Sequence, residues 1–139
     1  HPKFAGIYYN RGNAKQAKGD MDGAIADFTK AIELDPKTPG SYYSRGTVKM
    51  RQRDLDGAVA DFTKAITLDP KYTFAYFNRG TVRAMKDEMD GAITDFTRAI
   101  ELDPKDPDAY SNRAKAKKSK GDLAGADEDF AQAAKIQGR

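Results

Sequence analysis

The 139-residue sequence contains no cysteine. Disulfide frameworks, thiolate nucleophiles and sulfur-based metal sites are therefore excluded. Its only histidine is His1, so no imidazole–carboxylate metal cluster can be drawn, and no metal or cofactor is expected. No stretch approaches the ~20 apolar residues of a membrane helix, and membrane insertion is not expected. The opening "HPKFAG" has neither an initiator methionine nor an apolar signal core. That is the pattern expected of a mature product or an excised fragment, and it leaves the localisation unknown. Charge of one sign is also scarce: 24 basic against 21 acidic residues leave +3, too mild to mark a nucleic-acid binder. No P-loop, GxGxxG or nucleophile elbow is present. The acids recur as caps and helix flanks, so no enzyme is expected.

What the sequence has instead is repetition. "DGAIADFTKAIELDP" runs from Asp22 to Pro36, "DGAVADFTKAITLDP" from Asp56 to Pro70 and "DGAITDFTRAIELDP" from Asp90 to Pro104, each 34 residues after the last. A fixed period marks a packing unit, and positions that differ between copies are where function is written. On this frame Tyr8, Tyr42, Tyr76 and Tyr110 align, followed four residues on by Gly12, Gly46, Gly80 and Ala114. The second half of each unit aligns Ala24, Ala58, Ala92 and Ala126, then Phe28, Phe62, Phe96 and Phe130, then Ala31, Ala65, Ala99 and Ala133. The i, i+4 and i, i+7 spacings are helical. Each unit therefore reads as two short helices, with aromatics set against small residues so that the helices approach closely.

The punctuation agrees. "KGD" at Lys18–Asp20 and "SKGD" at Ser119–Asp122 break the first helix and offer Asp20 and Asp122 as caps for the second. The third copy reads "KDE" and loses the glycine. Asp35-Pro36, Asp69-Pro70 and Asp103-Pro104 close the second helix. Thr38-Pro39 and Asp106-Pro107 read as an N-cap with proline at the first helical position.

These residues resemble the tetratricopeptide-repeat (TPR) family, whose pattern is met by Tyr8, Gly12, Ala24, Phe28, Ala31 and Pro36 and by their counterparts. The resemblance implies an all-α fold, an alpha-alpha superhelix (a TPR solenoid) of antiparallel helical hairpins. It covers a single domain over 5–138, with repeats 5–38, 39–72, 73–106 and 107–138. The fourth is the weakest: it has Ala114 for glycine and no closing Asp-Pro.

Two positions that are usually apolar in the family are basic in every copy: Arg11 and Lys15, Arg45 and Lys49, Arg79 and Arg83, Arg113 and Lys117. An acid recurs with them at Asp27, Asp61, Asp95 and Asp129. A ladder of Arg–Asp pairs, with the long stems over apolar surface, is one reading; an anion-binding stripe is the other. Gly23, Gly57, Gly91 and Gly125 fall early in the second helix, where glycine costs ~1 kcal/mol relative to alanine. Close contact with the preceding repeat is one account of them.

The resemblance further implies a concave groove lined by the first helices. It would be formed by Tyr9, Asn10 and Asn13, then Tyr43, Thr47 and Met50, then Phe74, Phe77, Asn78 and Thr81, with Lys115 and Lys118 in the last unit. Rings and amides together suit a peptide, giving bulk for side chains and hydrogen bonds for main chain. Packing between repeats is the competing account of Tyr43 and Phe77. The expected partner is an unidentified protein or peptide. A TPR subgroup grips a C-terminal carboxylate with a clamp of lysine, asparagine and arginine, but those positions here read Tyr9, Asn13, Ser44, Phe74 and Asn78. Only Asn13 matches, so that activity is not carried over. Two rival readings remain: self-assembly into homo-oligomers through the groove or the terminal repeats, and nucleic-acid or anion binding through basic positions. The second would rest on Lys115, Lys117, Lys118 and Lys120, but Asp108, Asp122, Asp127, Glu128 and Asp129 surround them.

Overall fold

The computed structural model describes residues 2–139. Its elements follow the punctuation of the sequence. In residues 1–72, which form one compact unit, α1 (Pro2–Ala17) pairs with α2 (Met21–Leu34) and α3 (Pro39–Arg51) with α4 (Leu55–Leu68). In residues 73–139, the second unit, α5 (Thr73–Met85) pairs with α6 (Met89–Leu102) and α7 (Pro107–Ser119) with α8 (Leu123–Ile136). Every described element is a helix, and the eight form four antiparallel pairs.

The turn inside each hairpin has one design. The amides of Asp20, Asp54, Glu88 and Asp122 donate back to carbonyls five residues earlier, at 2.8–2.9 Å, which closes the first helix in a Schellman turn. The residue before each must adopt a positive φ: Gly19 at 85° and Gly121 at 88°, but Arg53 at 66° and Asp87 at 62°. Asp20, Asp54 and Asp122 then cap the second helix, each accepting from the amide of Gly23, Gly57 or Gly125 at 2.9–3.1 Å. Glu88 holds the same backbone position without a side-chain cap bond, because its longer side chain misplaces the carboxylate for this bond.

This turn corrects the account of the early glycines. A Cβ on Gly23, Gly57 or Gly125 would overlap the capping carboxylate of its own hairpin, and one on Gly91 would meet the Arg83 side chain at 3.0 Å. The glycines make room within the hairpin; they are not set against a preceding repeat. Thr38 is corrected as well. It stands at the N-cap of α3, but its hydroxyl donates to Asp35 Oδ2 at 2.8 Å instead of receiving a cap bond. Asp106 does cap, accepting from the amide of Asp108 at 3.0 Å.

The core of each hairpin is an aromatic seated on glycine. A Cβ on Gly12, Gly46 or Gly80 would come within 2.7–2.9 Å of the ring of Phe28, Phe62 or Phe96, and all three rings are fully buried. Burying such a side chain contributes about 1.5–3 kcal/mol. The next helix completes the cluster: Val48 of α3 packs on Phe28 and Ala24, and Ala116 of α7 on Phe96 and Ala92. Phe130 of the last hairpin is 38% exposed.

The repeated charges form a ladder. Asp27, Asp61, Asp95 and Asp129 are all buried. Each takes a bidentate bond from the arginine sixteen residues earlier, at 2.7–2.9 Å. A second cation, Lys15, Lys49, Arg83 or Lys117, approaches within 3.2 Å. Each guanidinium also lies over a tyrosine ring, Tyr8, Tyr42, Tyr76 or Tyr110, 5.4–5.9 Å from its centroid. Each of these cations is engaged by the aspartate of its own hairpin, which favours the ladder reading over an anion-binding stripe. Among the described residues, no buried side-chain nitrogen or oxygen lacks a partner.

Candidate functional site

Each unit presents its own cleft. In residues 1–72 a cleft of about 370 Å³ opens between α1 and α3, lined by Ala5, Gly6, Tyr9, Asp35, Thr38, Gly40 and Ser41. Glycine at positions 6 and 40 leaves its floor open. Above Gly40 converge the hydroxyls of Tyr9 and Tyr72, 3.8 and 3.9 Å from where a Cβ would stand. Ser44 donates to the Tyr9 hydroxyl at 3.4 Å. Tyr9 leans on Phe28 with ring centroids 5.8 Å apart. Tyr43 leans on Phe62 at 5.8 Å and stacks on Tyr72 at 5.0 Å. Burial, with Tyr43 and Tyr9 nearby, pushes the Tyr72 hydroxyl up to about 12, so it keeps its proton at neutral pH and can donate.

In residues 73–139 a second cleft of about 300 Å³ is lined by Thr81, Ala84 and Met85 of α5, Met89 and Phe96 of α6, and Asn112, Lys115, Ala116 and Ser119 of α7. It is mostly apolar, with an amide and a lysine at its α7 wall. Phe77 stands edge-on to Phe96 at 5.8 Å.

The expected groove residues distribute unevenly over these features. Tyr9 lines the first cleft, and Thr81 and Lys115 line the second; Tyr43 and Phe77 stand outside both linings. Tyr43 and Phe77 are half-buried, each resting on the core ring of its own hairpin. The hydroxyls of Thr47 and Thr81 donate to the carbonyls of Tyr43 and Phe77 at 3.0 Å, which leaves them as acceptors toward a ligand. Met50 and Asn78 are half-buried, whereas Asn10, Asn13 and Lys118 are exposed. Phe74 is 67% exposed and outside both clefts. Sequence reasoning missed Tyr72, although its signal was present: it occupies the N-cap slot that Thr38 and Asp106 hold in other repeats. A ring there has no capping use.

Among the described residues, no group of three His, Asp or Glu could hold a metal ion, and no helix is long and apolar enough to cross a membrane.

Family models described as tetratricopeptide repeat match residues 5–38, and residues 39–72 with 107–139; a TPR repeat model matches 86–121. The chain is a tetratricopeptide-repeat protein. No curated protein matches its sequence, but solved TPR structures do match its fold. A crystal structure of MamA has 25% identity and a TM-score of 0.93, covering 96% of this chain and 78% of that one. The first TPR domain of Spaghetti (RPAP3), bound to the HSP90 peptide SRMEEVD, has 27% identity and a TM-score of 0.85, covering 87% and 96%. The TPR domain of Arabidopsis OM64 has 26% identity and a TM-score of 0.83, covering 85% and 98%.

Proposed function

We propose that this TPR protein is a non-catalytic interaction module, one domain of four repeats over 5–138, that takes a peptide segment of a partner protein along its first helices. The observation that carries this reading is the lining of the two clefts. In the first, Tyr9 stands on the core ring Phe28 beside Thr38 and Ser41; the second sets Thr81, Asn112 and Lys115 on an apolar floor, and Phe77, outside that lining, stands on Phe96. Rigid rings of this kind supply contact area at low entropic cost. The likeness to a TPR domain that holds a peptide supports the same use here.

The peptide differs in chemistry from an acidic chaperone tail. The positions of the carboxylate clamp hold Tyr9, Ser44, Phe74 and Asn78 in place of cations and amides, so anchoring falls to Tyr9, Tyr43 and Phe77, with Asn10, Asn13 and Asn78 for polar groups. A peptide selected from a display library should bind the wild-type chain and lose affinity in Tyr43→Ala and Phe77→Ala. Truncating a desolvated aromatic anchor costs about 2 kcal/mol or more, roughly a 30-fold loss, whereas Lys118→Ala should change mainly the salt dependence. Unchanged affinity in both folded aromatic variants would reject the groove reading.

A further inference from the structure

We infer that the cleft of residues 1–72 selects a basic side chain of the bound peptide, a lysine or an arginine, whose charged end meets Asp35 while its stem lies against Tyr9. This rests on the peptide reading above and adds the chemistry of one anchor. Among the residues lining the cleft, the one charged side chain is Asp35, which is half-buried. The Thr38 hydroxyl gives its proton to Asp35 Oδ2 at 2.8 Å and so keeps only lone pairs. The Lys37 amide donates to Asp35 Oδ1 at 3.2 Å. A carboxylate has about four acceptor positions, so each oxygen of Asp35 keeps one. The Thr38 bond, and then the Lys37 amide, hold this carboxyl below its ordinary range, and it is charged at neutral pH. Unlike the ladder aspartates, Asp35 has no cation bonded to it among the described residues.

Donors are scarce at the same place. Pro39, the first residue of α3, has no N–H, and the Ser41 amide donates to the Thr38 carbonyl at 3.3 Å. An anion would meet the charge of Asp35 with little to bind it. A neutral amide brings acceptors of its own into a cleft that already has a surplus. An ammonium brings three donors and no acceptor, and a guanidinium five. Charge and hydrogen-bond complementarity therefore select the same occupant.

The walls suit the stem. Tyr9 offers a ring held on Phe28 at 5.8 Å, against which an alkyl chain packs and near whose face a cation is stabilised. A Cβ at Gly6 would meet nothing within 4 Å, so α1 leaves the stem an open passage. At about 370 Å³ the cleft is at the small end of ligand sites and fits one long side chain. The lining of the second cleft holds Lys115 and no carboxylate. The basic preference therefore belongs to residues 1–72.

A displayed library of random short peptides, panned against the wild-type chain, supplies the probe. Lysine or arginine should be enriched at one position. Replacing it in a selected peptide by norleucine or citrulline, which keep the shape and lose the charge, should weaken binding about tenfold, the scale of a hydrogen bond to a charged group. Asp35→Asn should weaken the parent peptide by a similar factor and leave the uncharged peptide unaffected, a coupling that general damage to the fold does not produce. Asp103→Asn makes the same exchange in a turn that lines neither cleft and should bind like the wild type. Gly6→Leu, which fills the passage from an open position, should weaken the parent peptide as well. Selected peptides with no basic position, or equal losses in Asp35→Asn for the charged and uncharged peptides, would overturn the inference. If Tyr43→Ala and Phe77→Ala still weaken those peptides, the peptide reading survives that result. A library that yields no binder overturns both.

Discussion

Removing Asp61 tests whether the charge ladder holds the fold. Its side chain is 6% exposed and receives Arg45 through two bonds of 2.8 Å and Lys49 at 3.2 Å. Asp61→Ala would leave those two cations, themselves 17% and 21% exposed, without a counter-charge. Breaking a buried pair from one side costs about 3–5 kcal/mol. For a domain of this size that corresponds to a fall in Tm of roughly 10–20 °C. Asp27→Ala supplies an internal comparison. Arg11 is far more exposed and rehydrates when its partner is lost, so the expected loss is about half as large. The assay is urea unfolding followed by circular dichroism, together with hydrogen exchange of the α3 and α4 amides, because repeat proteins open segment by segment. A loss below about 1 kcal/mol for Asp61→Ala, or equal losses for Asp61→Ala and Asp27→Ala, would refute the desolvation argument.

The positive φ at Arg53 and Asp87 gives a second expectation: Arg53→Gly should stabilise by about 0.5–1 kcal/mol, and Asp87→Gly by less, read as shifts in the urea midpoint. Glu88→Asp should restore the missing cap of α6 and add about 1 kcal/mol in the same measurement. Hydrogen bonds from Arg11 and Lys15 hold the Asp27 carboxyl down to about 2, from an ordinary 3.8, against the opposing effect of burial. Because this folded-state value is depressed, its stabilisation is complete above about pH 4 and is lost as pH falls through about 2. Melts between pH 4 and 2 should therefore be less pH-dependent in Asp27→Asn than in the wild type. Burial opposes the Asp129 carboxylate, yet Arg113 and Lys117 keep its pKa below the ordinary value, so Asp129 contributes in the same direction.

The sequence makes the hairpins legible because their determinants are local and repeat. Gly12 and Phe28, or Asp20 and Gly19, state their roles by recurring at one spacing. Arg45 and Asp61 were legible as a pair because each copy repeats both. Side-chain length and competing bonds were harder to read. Glu88 looks like a cap but is a methylene too long, and Thr38 looks like a cap but bonds Asp35 instead. Gly23 looks like a packing position, yet it answers to a carboxylate three residues away. Tyr72 breaks the repeat frame at the N-cap slot of Thr38 and Asp106, but only the fold brings it to Tyr43.

The ladder also bears on how such a chain can lengthen. Each buried aspartate and its arginine lie sixteen residues apart inside one 34-residue period. A tandem duplication of that period therefore inherits both halves of the pair, along with the tyrosine that shelters them. No copy arrives with a stranded charge, and later substitutions can work on the cleft residues without first repairing the interior. Of the ladder's own partners, the hydroxyl of Thr29 or Thr97 is the one that belongs to a neighbouring period.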